Sequence, residues 1–178
     1  IIGHVGRFEK QKNHEFLIYI FYEIKKRKSN AMLVLVGEGI LQKRVEQKVK
    51  QLGLEKDVKF LGVRKDIPEL MQAFDVFLFP SLFEGLPVVL VEAQAAGLRS
   101  IVSNTITKEV DLTGAVDFIS LKKGAVAWAE AVLSISSERI NTKPQLVEKG
   151  YDTRTMAMWL MDYYEKLLRT SSAKGVLT

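Results

Sequence analysis

Ala31-Met32-Leu33-Val34-Leu35-Val36-Gly37 is apolar at every position up to its closing glycine. A half-exposed strand would alternate apolar with polar residues. A strand covered by helices on both faces of a parallel sheet need not, so this run reads as a central parallel strand. The flanking sequence repeats the same unit. Before it, residues 1–6 form a short apolar run, and Phe16, Leu17, Ile20, Phe21 and Ile24 recur at helical spacing behind Asn13, the expected N-cap. After it, Leu41, Val45, Val49 and Leu52 form a second helical stripe stopped by Gly53, and residues 58–62 form a third strand. Asp66 with Glu69 resembles a capping box ahead of a short helix, and Val76-Phe77-Leu78-Phe79 is a fourth strand ending at Pro80. Pro87 is expected in the first turn of a helix that Gly97 closes, and residues 100–103 and 116–119 complete six strands. Helical segments follow near residues 125–136, 141–150 and 153–168, with a frayed tail over residues 169–178.

This alternation predicts an α/β fold, a Rossmann-like doubly wound parallel sheet forming one domain over residues 1–168. Its 47% hydrophobic content supports a sizeable core, and 12 Gly and 4 Pro are too few for a linker-like chain. With no Cys there is no disulfide framework, thiolate metal site or cysteine nucleophile. No apolar run approaches the roughly 18 residues of a membrane span. The chain opens Ile1-Ile2-Gly3-His4 without Met, and we read it as a fragment. Residues 1–74 carry 15 Lys+Arg against 9 Asp+Glu, and residues 75–178 carry 11 against 12, so anionic partners are favoured by the first half.

Doubly wound sheets bind ligands beyond the carboxyl ends of their strands, which directs attention to the loops after Gly6, Gly37, Gly62 and Pro80. The first, Gly6-Arg7-Phe8-Glu9-Lys10-Gln11-Lys12-Asn13-His14, sets Arg7 and Lys12 between a strand end and a helix start, an arrangement suited to a diphosphate. His14 is expected on the helix surface. With only His4 beside it there is no metal-ligand cluster. The fourth loop holds Glu84 and leads to Glu92, with seven residues between them. The helix after Pro87 is apolar almost all round and is expected to be buried, so Glu92 needs a cation or strong donors such as paired sugar hydroxyls. The plainer alternative pairs Glu92 with Arg99 and leaves Glu84 to favour the helix N-terminus.

Taken together, Gly6-Arg7-Phe8 with Lys12-Asn13, Val36-Gly37-Glu38-Gly39, Phe60-Leu61-Gly62, and Pro80-Ser81 through Glu84-Gly85-Leu86-Pro87 to Glu92-Ala93 and Gly97 resemble glycosyltransferase family 4 over roughly residues 1–168. The chain is similar to the C-terminal, donor-binding half of a two-domain GT-B enzyme of bacterial exopolysaccharide or capsule synthesis. That resemblance implies a hexosyltransferase whose donor is a nucleotide-diphosphate sugar, by family frequency a UDP-sugar, with no other cofactor. It implies that Arg7 and Lys12 bind the diphosphate and stabilise the leaving nucleotide, that Glu84 contacts donor-sugar hydroxyls, and that Glu92 holds the ribose diol. Gly6 and Ser81 fall within its motifs, Gly85, Leu86, Pro87 and Val88 would line the sugar and phosphate pocket, Val63 and Arg64 would edge the base, and Gly37 and Glu38 would shape the crevice. It further implies retention of anomeric configuration, a polysaccharide or lipid-linked acceptor bound by an N-terminal domain absent here, and an isolated chain that transfers nothing. The last helix would pack toward that absent domain, although most of Met156, Met158, Trp159, Met161 and Tyr163 are expected in a core.

Fixed cations that grip a departing phosphate lower the barrier without a metal, and the sequence lacks the Asp-x-Asp pattern of metal-dependent transferases, so no metal is expected. Competing readings are weaker. A dinucleotide fingerprint is missing after the first strand, where the glycines are Gly3 and Gly6, and a receiver-type acidic cluster is replaced by Arg7 and Arg64. A nucleotide-sugar epimerase or phosphorylase of the same fold remains an alternative, as does a noncatalytic basic module. Lys25-Lys26-Arg27-Lys28 would serve the latter, although nucleic acid is not expected and the run could instead bring a cytoplasmic enzyme to anionic lipid at the inner membrane face.

Overall fold

The structure is a computed structural model that describes residues 1–174 of the 178-residue chain, with side chains described to Arg169. It comprises two compact units, Ile1–Thr142 and a second beginning at Lys143.

The first unit is built on six parallel strands: β1 (Ile2–Val5), β2 (Leu33–Val36), β3 (Val58–Phe60), β4 (Val76–Phe79), β5 (Ser100–Ser103) and β6 (Val116–Ile119). Their order is β3-β2-β1-β4-β5-β6. The chain moves outward from β1 to β3, then returns to the other side of β1 for β4, so its direction reverses between β1 and β4. The two connections leaving those strands part there, and their carboxyl ends border a crevice. All six strands fall where the sequence places them.

Side-chain alternation splits the core in two. Leu33, Leu35, Val76, Leu78 and Ile101 pack under α1 (His14–Lys25), α2 (Gln42–Gln51) and α5 (Gly124–Ser134), with Phe21 and Trp128 at the centre. Val36, Phe77, Phe79 and Val102 pack with Met71, Leu90 and Ala93 of α3 (Ile67–Ala73) and α4 (Val88–Ala95). Gly3 lets Phe74 close on the sheet, since a Cβ there would lie 2.0 Å from the Phe74 ring. Gln94 ties α4 to the β5–β6 connection: its amide donates to Leu90 O and Val110 O, and its Oε1 accepts from Leu112 N and Thr113 Oγ1. Arg139 donates to carbonyl oxygens of Met71, Gln72, Phe74 and Ala96, gathering the ends of α3 and α4.

Several local expectations are corrected. Asn13 holds the N-cap position of α1 as expected, but it is left-handed (φ 55°) and its side chain makes no capping hydrogen bond. Its amide reaches Pro80 O instead. Asp66 caps nothing because both its oxygens are taken by Arg64. Pro87 lies just outside α4, which begins at Val88. Nor is α4 buried all round: Leu90, Ala93 and Gln94 face inward while Val88 is 67% exposed.

The second unit contains α6 (Lys143–Glu148) and α7 (Thr153–Lys174). Asp152 accepts from Thr155 N and Oγ1, and these donors hold its carboxyl below the usual range. α7 continues to Lys174 instead of fraying at residue 169, and the rest of the expected tail lies outside the described residues. Met156, Met158, Trp159, Met161 and Tyr163 are all exposed, contrary to the expectation of a core.

Replacing Gly3 with Ala drives a Cβ into a rigid buried ring and is expected to lower stability by about 1–3 kcal/mol, read as a lower denaturant midpoint. An unchanged midpoint would show that Phe74 has room to withdraw.

Candidate functional site

At the reversal point the loops after β1 and β4 are joined by a short series of contacts. Lys12 Nζ lies 2.7 Å from Glu84 Oε1, and the two side chains are only 16% and 7% exposed. The other Glu84 oxygen accepts from Gln11 Nε2 at 2.9 Å, and the same amide lies 3.0 Å from Phe83 O. Leu82 N donates to Gln11 O at 2.8 Å. Lys12 Nζ also sits 4.7 Å above the centre of the Phe79 ring. A cation of the first loop thus meets the carboxylate of the fourth, a pairing the sequence reading did not draw, and Gln11 is a further member that it missed.

The neighbouring loops are stitched to this turn. Phe8 N donates to Glu38 O, Leu41 N to Phe8 O, and Gly37 N to Gly62 O. Gly37 adopts φ +128°, and a Cβ there would lie 2.3 Å from Gly6 O, so only glycine permits this approach. The carboxyl ends of β1, β2 and β3 thus form one continuous rim.

Other expected residues stand apart from the pair. Arg7 points outward, 75% exposed, with Nη1 3.2 Å from Glu9 Oε1. Arg64 is exposed and held by Asp66, Val63 and Glu38 are exposed, and Gly85, Leu86 and Val88 are open to solvent at the rim. Pro87 is buried. Ser81 is fully buried beneath the β4 loop, with its carbonyl accepting from Thr105 Oγ1 at 3.2 Å. Glu92 lies one turn beyond Val88 on the same face of α4. Its carboxylate has no hydrogen-bond or ion-pair partner among the described residues, Arg99 included, and partial burial pushes its pKa above the ordinary carboxylate value. No contact joins it to Glu84. Among the described residues, no group of three or more His, Cys, Asp or Glu could hold a metal ion.

His14 is not on the helix surface. It is 3% exposed, stacked 4.1 Å from Phe8 and edge-on to His4 at 4.7 Å. Burial lowers the pKa of His4 to about 4 and of His14 to about 2, and the Lys12 charge contributes to both shifts. A hollow of about 450 Å³ opens beside the same turn, bordered by Lys10, Asn13, His14, Leu41, Arg44 and Leu82. It contains neither Glu84 nor Glu92. At the far end of α1 the basic run is largely neutralised: Lys25 pairs with Asp57, Lys26 with Glu23 and Arg27 with Glu130. No helix among the described residues is long and apolar enough to cross a membrane.

A Rossmann-like parallel sheet with a charged crevice at its switch point defines the class, a ligand-binding α/β domain. The sequence pattern of the glycosyl transferases group 1 matches residues 1–153, and the chain belongs to that family. It is 44% identical over 169 residues to EpsF of Bacillus subtilis, provisionally named a glycosyltransferase, covering 92% of this chain and 44% of that protein. The crystal structure of Anabaena HepE in complex with UDP and glucose superposes with a TM-score of 0.66 at 27% identity, covering 75% of this chain and 37% of the other. The C-terminal domain of the group 1 family protein LpcC from Francisella tularensis superposes at 0.69 with 26% identity, covering 85% of this chain and 86% of that domain. The chain thus spans less than half of EpsF and HepE, and its fold is that of one half of a GT-B glycosyltransferase.

The buried imidazoles make stability depend on pH. Each is neutral in the fold, while its unfolded counterpart protonates below about 6.5, so their contribution is complete above that pH. It is lost as pH falls toward 4, by about 1.4 kcal/mol per pH unit for each ring. Denaturation midpoints measured from pH 7 to 5 are expected to fall accordingly, and His14→Leu is expected to flatten that slope. An identical slope in the variant would contradict the assignment.

Proposed function

We propose that this chain is the donor-binding half of a hexosyltransferase, that its crevice takes a nucleotide-diphosphate sugar, and that the nucleotide is UDP. The observation that carries the proposal is the buried Lys12–Glu84 pair across the two loops of the switch point. The UDP and glucose held by HepE support the choice of nucleotide. In this reading Lys12 turns from Glu84 toward the diphosphate, and Arg7 joins it. The exposed Arg7–Glu9 pair resists little, since such pairs are worth about 0–1 kcal/mol. Glu84 then accepts from sugar hydroxyls. Glu92, its carboxylate unpaired among the described residues, accepts from the ribose diol, and Gly85 to Val88 supply the wall between them. Gly6, Gly37 and Glu38 shape the floor of the crevice, and Val63 and Arg64 edge the base.

Charge grows on the β-phosphate as the glycosidic bond breaks, and fixed cations bind that state more tightly than the ground state. Transfer on this account is metal-independent and retaining, to a polysaccharide or lipid-linked acceptor held by a second domain. The chain alone binds donor and transfers nothing. The setting is the cytoplasm at the inner membrane face, where anionic lipid is the partner least supported, because three of the four cations at Lys25–Lys28 are already paired.

Calorimetry with UDP, GDP and ADP is expected to show UDP binding most tightly. Lys12→Gln retains an amide donor for Glu84 while deleting the charge, and it is expected to weaken UDP binding by about ten- to a hundredfold. Glu92→Gln is expected to weaken UDP itself, and Glu84→Gln to matter only for a UDP-sugar. Undiminished UDP affinity in Lys12→Gln would refute the site.

A further inference from the structure

Four buried side-chain atoms have no hydrogen-bond partner among the described residues: His4 Nε2, both ring nitrogens of His14, and Ser81 Oγ. His4 and His14 flank the first loop and Ser81 lies in the fourth, so all four atoms belong to segments that form the Lys12–Glu84 site. Buried polar groups are nearly always paired, and a concentration of unpaired ones asks for a functional reason.

The His4 ring is fixed on one side. β1 and β4 pair at Ile2 with Val76 and Gly3 with Phe77, and no further. One residue past that last rung, His4 Nδ1 lies 2.9 Å from Leu78 O. A carbonyl oxygen only accepts, so Nδ1 carries the proton and Nε2 presents its lone pair. That lone pair lies under the loop. A Cβ placed on Gly6 would lie 3.2 Å from His4 Nε2 and equally 3.2 Å from Lys12 Cδ and Cε. The imidazole also stacks on the Phe79 ring, 5.6 Å between centres, and Lys12 Nζ lies over that same ring. His4 Nε2 and the Lys12 stem therefore border the same small space beside Gly6, and the His4 ring and the Lys12 ammonium both lie against the Phe79 ring. A neutral ring is required there, because a second cation would repel Lys12.

We propose that His4 is a positioning residue for donor binding: anchored to Leu78 O, it sets the height of the first loop and the direction in which Lys12 meets the diphosphate. This rests on the donor-site reading above and adds a residue to it. His14, packed edge-on against His4 and flat against Phe8, braces the ring from the other side.

The test separates phosphate contact from everything else by titrating the chain with UDP and with uridine. An Asn side chain can place an amide donor near the position of Nδ1, whereas Gln places it near Nε2 and Leu has none. His4→Asn is expected to bind UDP within about threefold of the original chain. His4→Leu and His4→Gln are expected to lose about tenfold in UDP affinity while their uridine affinity stays unchanged. A purely structural role would weaken both compounds together or lower only the melting temperature, and either result would overturn the proposal. So would equal UDP affinity in all three variants. An original chain that binds neither compound would overturn the donor-site reading and this proposal with it, whereas normal UDP binding that is indifferent to His4 would overturn this proposal alone.

Discussion

The ion pair between Lys12 and Glu84 is the constraint on which the site depends. It joins residues 72 positions apart, and both side chains are largely withdrawn from water. Such a pair is a poor source of stability, because desolvation offsets most of its Coulomb energy, but breaking it leaves an uncompensated charge. Its value is geometric. It fixes the loop after β1 against the loop after β4 at the one place where the sheet reverses direction, and the Gln11 amide and the Asn13 contact to Pro80 hold the same seam. On the proposed reading, a diphosphate entering there meets a cation partly stripped of water, which has only to turn to it from Glu84.

The layers beneath serve that seam. Phe77 and Phe79 alternate with Val76 and Leu78 along β4, so the strand fills both halves of the core and cannot slip by one residue without inverting every side chain. Gln94 and Arg139 anchor α4 at its inner face and its end, and Glu92 rides on that helix. The unpaired carboxylate of Glu92 follows from the fold: the inward face of α4 is taken by Leu90, Ala93 and Gln94, leaving Glu92 toward the rim with no ion-pair partner among the described residues.

The six strands were legible because their apolar runs are short and punctuated by glycine or proline, and the reversal of strand order gave meaning to the Arg, Lys and Glu residues after β1 and β4. What escaped was anything decided by packing across the chain. Asn13 has the composition of an N-cap, yet its amide satisfies a carbonyl 67 residues away. His14 begins a helix and reads as a surface residue, but it fills the gap between Phe8 and His4. Gln11 is indistinguishable in sequence from a solvated loop residue. The exposure of α7 was equally hidden, since its methionines and aromatics have core composition whichever surface covers them.

Backbone amide shifts recorded while the chain is titrated with UDP-glucose test the central claim most directly. The account expects saturable perturbations concentrated at residues 6–13 and 84–92, with Lys12 and Glu84 among the most affected. Saturable binding that leaves both segments unmoved, with its perturbations confined to other surfaces, would contradict it.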